Sequence, residues 1–382
     1  MLHRTLSLVI LSAFILATVV SVAAQEKTPR PLPSPKTTPP QIEGQEPVRV
    51  FTEEVRLSIV AVDQFGHYDP TVVADDILVL EDGVPQEIQS VRHIPANVLI
   101  VLDTGGELSG LGGMSKHTNL TRQIAIELVR SLSQGDWVSL MQFNNHVEQL
   151  QNWTTNRDDA LRVLKTKVSS GKRDVFSDAV AAAAREIQDR PEGSRHVVLI
   201  TDGVDTPGVK ADRAKAIKQL ISTRATVHII SYTEFVRQKD AKKPPDIEGG
   251  IRPANDPITA TDPTLAPGQT RNPSIGVSIR FDPAMRRQRK AYEAETKKSQ
   301  QILVSLAQET GGTIFLPKTG DEMIGEAAAV AREIGSEYVI TYRPKRPLAE
   351  AEPGEYRRIQ VGSRRVGLTL RSRRGYVVNP AF

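Results

Sequence analysis

The sequence predicts an α/β protein, a doubly wound, mostly parallel sheet joined to a small accessory β module built from both flanks. Three observations predict it. The continuous apolar run from Val98 to Leu102 and the run from His196 to Thr201 suit parallel strands buried on both faces. These runs alternate with segments carrying apolar residues at helical spacing, the order that places helices on both sides of a parallel sheet. The flanks differ: Val55, Leu57 and Ile59 fall at alternate positions, and further short apolar runs are separated by the turn signals Phe65-Gly66 and Asp82-Gly83.

Taken in order, the flank from 49 to 95 predicts strands around Val55–Ile59, Ile77–Leu80 and Ile88–Ile94. From Asn97 the βα alternation begins. The Val98–Leu102 strand ends at Asp103, and a helix follows with Leu120, Ile124, Leu128 and Leu132 on one stripe. Gln134-Gly135-Asp136 turns the chain into a strand from Trp137 to Phe143, and Asn144-Asn145 leads to a hairpin partner from His146 to Leu150. Helices are expected over 157–168 and Val175–Gln188, then the His196–Thr201 strand, a helix carrying Ala214, Ile217, Leu220 and Ile221, and a strand from Thr226 to Tyr232. Between Pro244 and Pro283 there are eight prolines and few large apolar residues, which predicts a disordered insert at about 236–288 with no packed element. Beyond it, a helix from Tyr292 to Glu309, a strand from Thr313 to Leu316, a helix from Asp321 to Ile334 and a strand from Glu337 to Tyr342 are expected to complete the sheet. Three short strands, Tyr356–Val361, Val366–Leu370 and Tyr376–Val378, close the chain and are expected to join the N-terminal β unit.

The domain organisation follows from these segments. Residues 1–24 read as an export signal, with His3 and Arg4 before the apolar run Leu6–Val20 and small residues ending at Ala24; an uncleaved anchor is the alternative. Residues 25–48 are proline-rich and predict an extended tether. The β segment 49–95, the α/β domain 96–343 and a basic β segment 344–382 follow. The expected destination is the periplasm or the exterior. The chain has no cysteine, which excludes disulfides, thiolate metal sites and a lipidated cysteine. A net charge of +4 is modest, but ten Arg or Lys against three Glu between Arg343 and Arg374 form a local basic excess. That excess would suit an anionic envelope polymer, or be a solvated face.

In an open α/β sheet, ligands bind beyond the carboxyl ends of the strands. Three acidic segments are predicted there: Asp103-Thr104-Gly105-Gly106-Glu107, Gly171-Lys172-Arg173-Asp174, and Thr201-Asp202-Gly203-Val204-Asp205. With this order of elements, the chain from Asn97 to about Tyr342 resembles the von Willebrand factor A family, whose metal-ion adhesion site uses Asp-x-Ser-x-Ser after the first strand, a Thr before a central helix and an Asp after the fourth strand. Asp103 and Asp202 match that pattern; Gly105 and Glu107 replace the two serines, and Asp174 stands where the threonine usually does, four residues before Asp178. The Glu81-Asp82-Gly83-Val84-Pro85-Gln86 segment, the Glu309-Thr310-Gly311-Gly312 turn and the basic tail resemble exported relatives of this family of the kind found in acidobacteria.

The family's hydroxyls ligate Mg²⁺ without cancelling its charge, which leaves the ion able to attract a partner's carboxylate. Asp103, Glu107, Asp174 and Asp202 instead form an acidic set better matched to Ca²⁺, which tolerates more oxygens and looser geometry, although Mg²⁺ stays open. In the alternative, no metal binds and Lys172 or Arg173 neutralises the carboxylates. No catalytic set emerges. Ser109 fails the nucleophile-turn pattern because Glu107 sits two before it, and no His pair has the spacing of a zinc protease. His196 and His228 lie in apolar strands and are expected to be satisfied core residues. Gly311-Gly312-Thr313 reads as a helix stop feeding a strand. An exported chain without aromatics among its basic residues is not expected to bind nucleic acid. The functional expectation is a non-enzymatic module that recognises a protein partner; the alternatives are a structural envelope protein acting through the basic tail and a metal-dependent hydrolase.

Overall fold

In the computed structural model the described residues are 54–105, 118–206, 208, 212–235, 237, 247–251, 275–279 and 283–378. The export signal, the tether and Glu107 lie outside them. The central strand β5 (Asn97–Asp103) is buried at every position, as its aliphatic run predicts. It pairs in parallel with β6 (Trp137–Phe143) on one side and β8 (Arg195–Ile200) on the other. β9 (Thr226–Ile230) and the short β12 (Ile314–Phe315) extend the sheet in parallel beyond β8, and β7 (Val147–Thr154) closes the opposite edge antiparallel to β6. The resulting order is β12-β9-β8-β5-β6-β7.

Alternation along the strands builds two cores. Val98, Ile100, Leu102, Val198, Ile200 and Ile230 face helices α1 (Thr118–Ser131), α2 (Arg157–Thr166) and α6 (Gly320–Gly335). Leu99, Val101, Val197, Leu199, Val227 and Ile229 face α3 (Phe176–Gln188), α4 (Arg213–Ser222) and the later part of α5 (Pro283–Thr310). Fully burying each such side chain contributes roughly 1.5–3 kcal/mol, so these two layers fix the sheet before any loop is considered. Asn156, Asp212 and Thr319 cap α2, α4 and α6 by accepting from backbone amides of the first turn.

Both flanks build a second core. One antiparallel sheet has the order β15-β1-β13-β4, from Thr369–Ser372, Val55–Val62, Tyr338–Tyr342 and Ile88–Arg92. The other has the order β16-β14-β2-β3, from Gly375–Val377, Tyr356–Ser363, Ile77–Glu81 and Val84–Gln86. Leu57, Ile59, Val79, Ile340, Tyr342, Ile359 and Tyr376 share the apolar core of this module.

Three expectations are corrected. The Glu337–Tyr342 strand does not complete the parallel sheet; β13 lies between β1 and β4, with Val55 opposite Tyr342 and Ile59 opposite Tyr338. Tyr338, Ile340 and Tyr342 point one way into the β-module core, an alternation that a strand between two helix layers does not need. The insert is not without elements, because β10 (Ile247–Ile251) and β11 (Ile275–Ile279) form an antiparallel pair inside it. Finally, α5 begins at Pro283, within the predicted insert and nine residues before the expected start, and proline suits a helix's first position. The Gly311 stop does terminate α5, with a left-handed φ of 80°.

Candidate functional site: an acidic rim at the switch point

The chain winds from β5 to β6 on one side and later to β8 on the other, so the carboxyl ends of β5 and β8 are the switch point of the sheet, the place where ligands bind in open α/β folds. Asp103 ends β5, and Asp202 follows β8 by two residues. Leu102 is level with Ile200, so Asp202 leaves its strand one residue beyond the level at which Asp103 ends the adjacent one. The loop before α3 brings Asp174 to them. Its amide donates to the Thr206 hydroxyl (2.7 Å), the Thr206 amide donates back to the Asp174 carbonyl (2.9 Å), and Gly171 donates to the Thr104 carbonyl (3.0 Å). Three of the four sequence-predicted residues are therefore brought together.

Asp103 is only 3% exposed. The Thr201 hydroxyl donates to its Oδ2 (2.6 Å), the Gly105 amide to its Oδ1 (3.3 Å), and the Tyr232 hydroxyl also bonds to it. Burial still pushes its carboxyl above the usual range. Asp174 is more strained: burial first, then the charges of Asp103 and Asp202, push it up to about 11. Its Oδ1 is buried without a hydrogen-bond partner. Two carboxylates can bond one another only when a proton or a cation sits between them. Asp202 accepts from the Val204 amide (2.9 Å) and is set by Ser299, whose hydroxyl donates to its carbonyl (2.7 Å).

The hydroxyls at this rim with the chemistry of neutral ligands are engaged with protein groups. Thr104 donates to the Phe143 carbonyl (3.1 Å), Thr201 donates to Asp103, and Ser177 donates to Asp205 (2.5 Å). Gly105 has a steric reason to be glycine: a Cβ there would lie 2.0 Å from Asp174 Oδ1 and 2.1 Å from the Arg173 carbonyl oxygen. The space for a serine side chain is taken by the Asp174 loop. Lys172 and Arg173 do not take up the neutralising role expected in the metal-free alternative. Their amides donate to Asn145 Oδ1 (3.1 and 3.0 Å), and among the described residues the ion pair at this rim is Arg213 with Asp205 (3.1 Å). Thr201, Thr206, Asp205 and Tyr232 escaped the sequence reading as partners of the carboxylates. Tyr232 carried a signal, a polar-tipped aromatic just past the end of a buried strand beside β8.

Among the described residues, five of the ten basic residues of the tail form ion pairs within the fold. Arg357 pairs with Glu81 and Glu355, Arg365 with Asp69 and Asp76, Arg371 with Glu333, Arg374 with Glu309, and Arg346 with Glu355.

Residues 97–249 match the sequence model of the von Willebrand factor type A domain. No curated protein matches the chain. Among solved structures, a von Willebrand factor type A protein from Catenulispora acidiphila is similar at 13% identity, covering 82% of this chain and 76% of its own, with a TM-score of 0.41. An aerotolerance-related membrane protein from Bacteroides fragilis is similar at 18% identity, covering 63% and 98%, with a TM-score of 0.36. Manganese-loaded TRAP protein from Plasmodium vivax is similar at 15% identity, covering 50% and 68%, with a TM-score of 0.31.

Proposed function

Because the chain carries a von Willebrand factor type A domain across residues 97–249, we propose that it is an exported, non-enzymatic recognition module whose adhesion-type site has exchanged hydroxyl ligands for carboxylates. The observation that carries this reading is the unpartnered, buried Oδ1 of Asp174 packed against Asp103 at the switch point. Asp103, Asp174 and Asp202 would hold a divalent cation, and Glu107 follows Asp103 closely enough in sequence to join them. An all-oxygen, carboxylate-rich set fits Ca²⁺ better than Mg²⁺. Such a site neutralises its own ion, so it draws less on a partner's carboxylate than a hydroxyl-ligated Mg²⁺ does. Recognition of a protein partner would then rest on the loops the ion orders, those bearing Asp103, Asp174 and Asp202. Residues 1–24 support export, since they have the charged start, apolar run and small-residue end of a signal segment.

An anionic envelope polymer bound through the tail is the weaker reading, because the ion pairs of Arg346, Arg357, Arg365, Arg371 and Arg374 leave less free positive charge than the composition suggests. A metal-dependent hydrolase would draw its nucleophile from an ion-bound water with a carboxylate as base, and turnover of phosphoester or peptide substrates on metal addition would favour it over recognition. Calorimetric titration with Ca²⁺, Mg²⁺ and Mn²⁺ tests the proposal. One Ca²⁺ per chain is expected, with binding abolished in Asp103→Ala; absence of binding by all three ions to folded protein overturns it.

A further inference from the structure

Well away from the rim, at the start of β8, lies a second group of buried ionisable side chains that the recognition reading does not use. His196 and His228 project from adjacent parallel strands to the same face of the sheet, two residues apart in register, with rings stacked at 5.8 Å between centroids. Glu337 reaches them from the turn between α6 and β13, its Oε2 lying 3.6 Å from His196 Nε2. These three residues are 2%, 0% and 6% exposed, and each can present a ligand atom within 4.8 Å of the other two.

Buried polar atoms ordinarily find hydrogen-bond partners. Here His196 Nδ1, both nitrogens of His228 and Glu337 Oε2 have none. Four such atoms in three touching residues are not explained by a satisfied core. We propose that His196, His228 and Glu337 form a buried zinc site at the seam between the α/β domain and the β module, with a water completing the four-coordinate shell.

The chemistry selects the ion. Two imidazoles and one carboxylate suit Zn²⁺ far better than Ca²⁺ or Mg²⁺. Burial holds both imidazoles in the neutral form that ligates. Tetrahedral bonds of about 2.0–2.2 Å separate ligand atoms by about 3.4 Å, so atoms already within 4.8 Å need a local closure of about an ångström. The surroundings match a ligating histidine that presents one nitrogen to metal and the other to a carboxylate. His228 Nδ1 faces Glu333 Oε1 at 3.6 Å, and Glu333 is itself held by the Thr313 hydroxyl (2.8 Å) and by Arg371. Of the two cations nearby, Arg371 pairs with Glu333, and Arg373 donates through Nη2 to the Arg224 carbonyl while its buried Nε has no partner and its charge acts on Glu337. Ser58 of β1, bonded to Glu337, brings the β module to the same point. An ion here would fasten the two cores together where Glu337 passes from one to the other.

The test uses the untagged full chain, purified without chelator. Elemental analysis is expected to find about one zinc per chain after dialysis, and Co²⁺ substitution to give the intense visible bands of tetrahedral coordination. EDTA lowers the melting temperature and Zn²⁺ restores it. His196→Gln combined with Glu337→Gln abolishes the cobalt bands, whereas Asp103→Ala at the rim leaves them unchanged. Folded wild-type protein that retains no zinc, gives no cobalt bands and does not shift its melting temperature with Zn²⁺ overturns the proposal. Bands lost in Asp103→Ala but kept in the histidine variant overturn it equally. If the double variant does not fold, the wild-type arms alone decide.

Discussion

Two buried carboxylate centres in this molecule are built on opposite principles. In the β module, Glu81 lies in the core yet is fully matched: Arg357 donates to it at 2.8 Å, the Tyr342 hydroxyl at 2.7 Å and the Tyr376 hydroxyl at 3.0 Å. At the rim, Asp174 faces Asp103 with a buried oxygen that nothing in the chain satisfies. A matched centre is complete within the chain and serves the fold. An unmatched one is held in place by the surrounding structure and has room in its chemistry for a ligand. The contrast separates framework from site more sharply than acidity alone, since both are made of aspartate and glutamate.

The largest expected effect comes from breaking the matched centre. Arg357 is fully buried, so Arg357→Met strands the Glu81 carboxylate and is expected to cost about 3–5 kcal/mol in denaturant unfolding. Adding Glu81→Leu to the same chain should recover most of that loss, because removing both partners leaves no orphaned charge. A double variant as unstable as the single one would show that the pair does more than satisfy itself. Neither change should alter Ca²⁺ titration at the rim, which lies in the other core.

Next in size is a change that restores the family residue. Gly105→Ser places a Cβ 2.0 Å from Asp174 Oδ1 and 2.1 Å from the Arg173 carbonyl oxygen, and is expected to destabilise by about 1–3 kcal/mol. Asp174→Ala should relieve only part of this, since the backbone oxygen remains. A serine accepted without loss would mean that the Asp174 loop moves freely, and that the closeness of Asp103 and Asp174 is not built in.

The sequence made the α/β half legible because its signals are local. Val98–Leu102 and Val197–Ile200 are aliphatic runs that end in Asp103 and Thr201-Asp202, so both the strands and the carboxylates at their tips could be read directly. The β module was legible only as strands. That β13 pairs with β1, nearly three hundred residues earlier, has no local sign; it is decided by Tyr338, Ile340 and Tyr342 sharing a core with Leu57 and Ile59. The same limit hid the chemistry of the rim. The aspartates were visible, but the loop that occupies the serine's space beside Gly105, and the Tyr232 hydroxyl on Asp103, exist only once distant segments have met. His196 and His228 illustrate the converse, since their apolar strands correctly predicted burial and concealed the missing partners.

The smallest expected effect is the most direct probe of the unmatched centre. With calcium chelated, Asp174 stays protonated in the folded protein up to about pH 11, whereas in the unfolded chain it ionises near an ordinary aspartate's pKa of about 4. Folding must therefore take up a proton at any pH between these values. The stability associated with the protonated group is complete below about pH 4 and is lost progressively as pH rises toward 11. Asparagine keeps the shape without the proton requirement, so Asp174→Asn in chelator is expected to raise stability at pH 5 by on the order of 1–2 kcal/mol. The gain should shrink as pH falls toward 4, and should reverse in millimolar Ca²⁺ as the wild type gains an ion that the variant binds less well. A gain independent of pH would place its origin in packing rather than in the carboxylates facing one another, and the contrast with Glu81 would then fail.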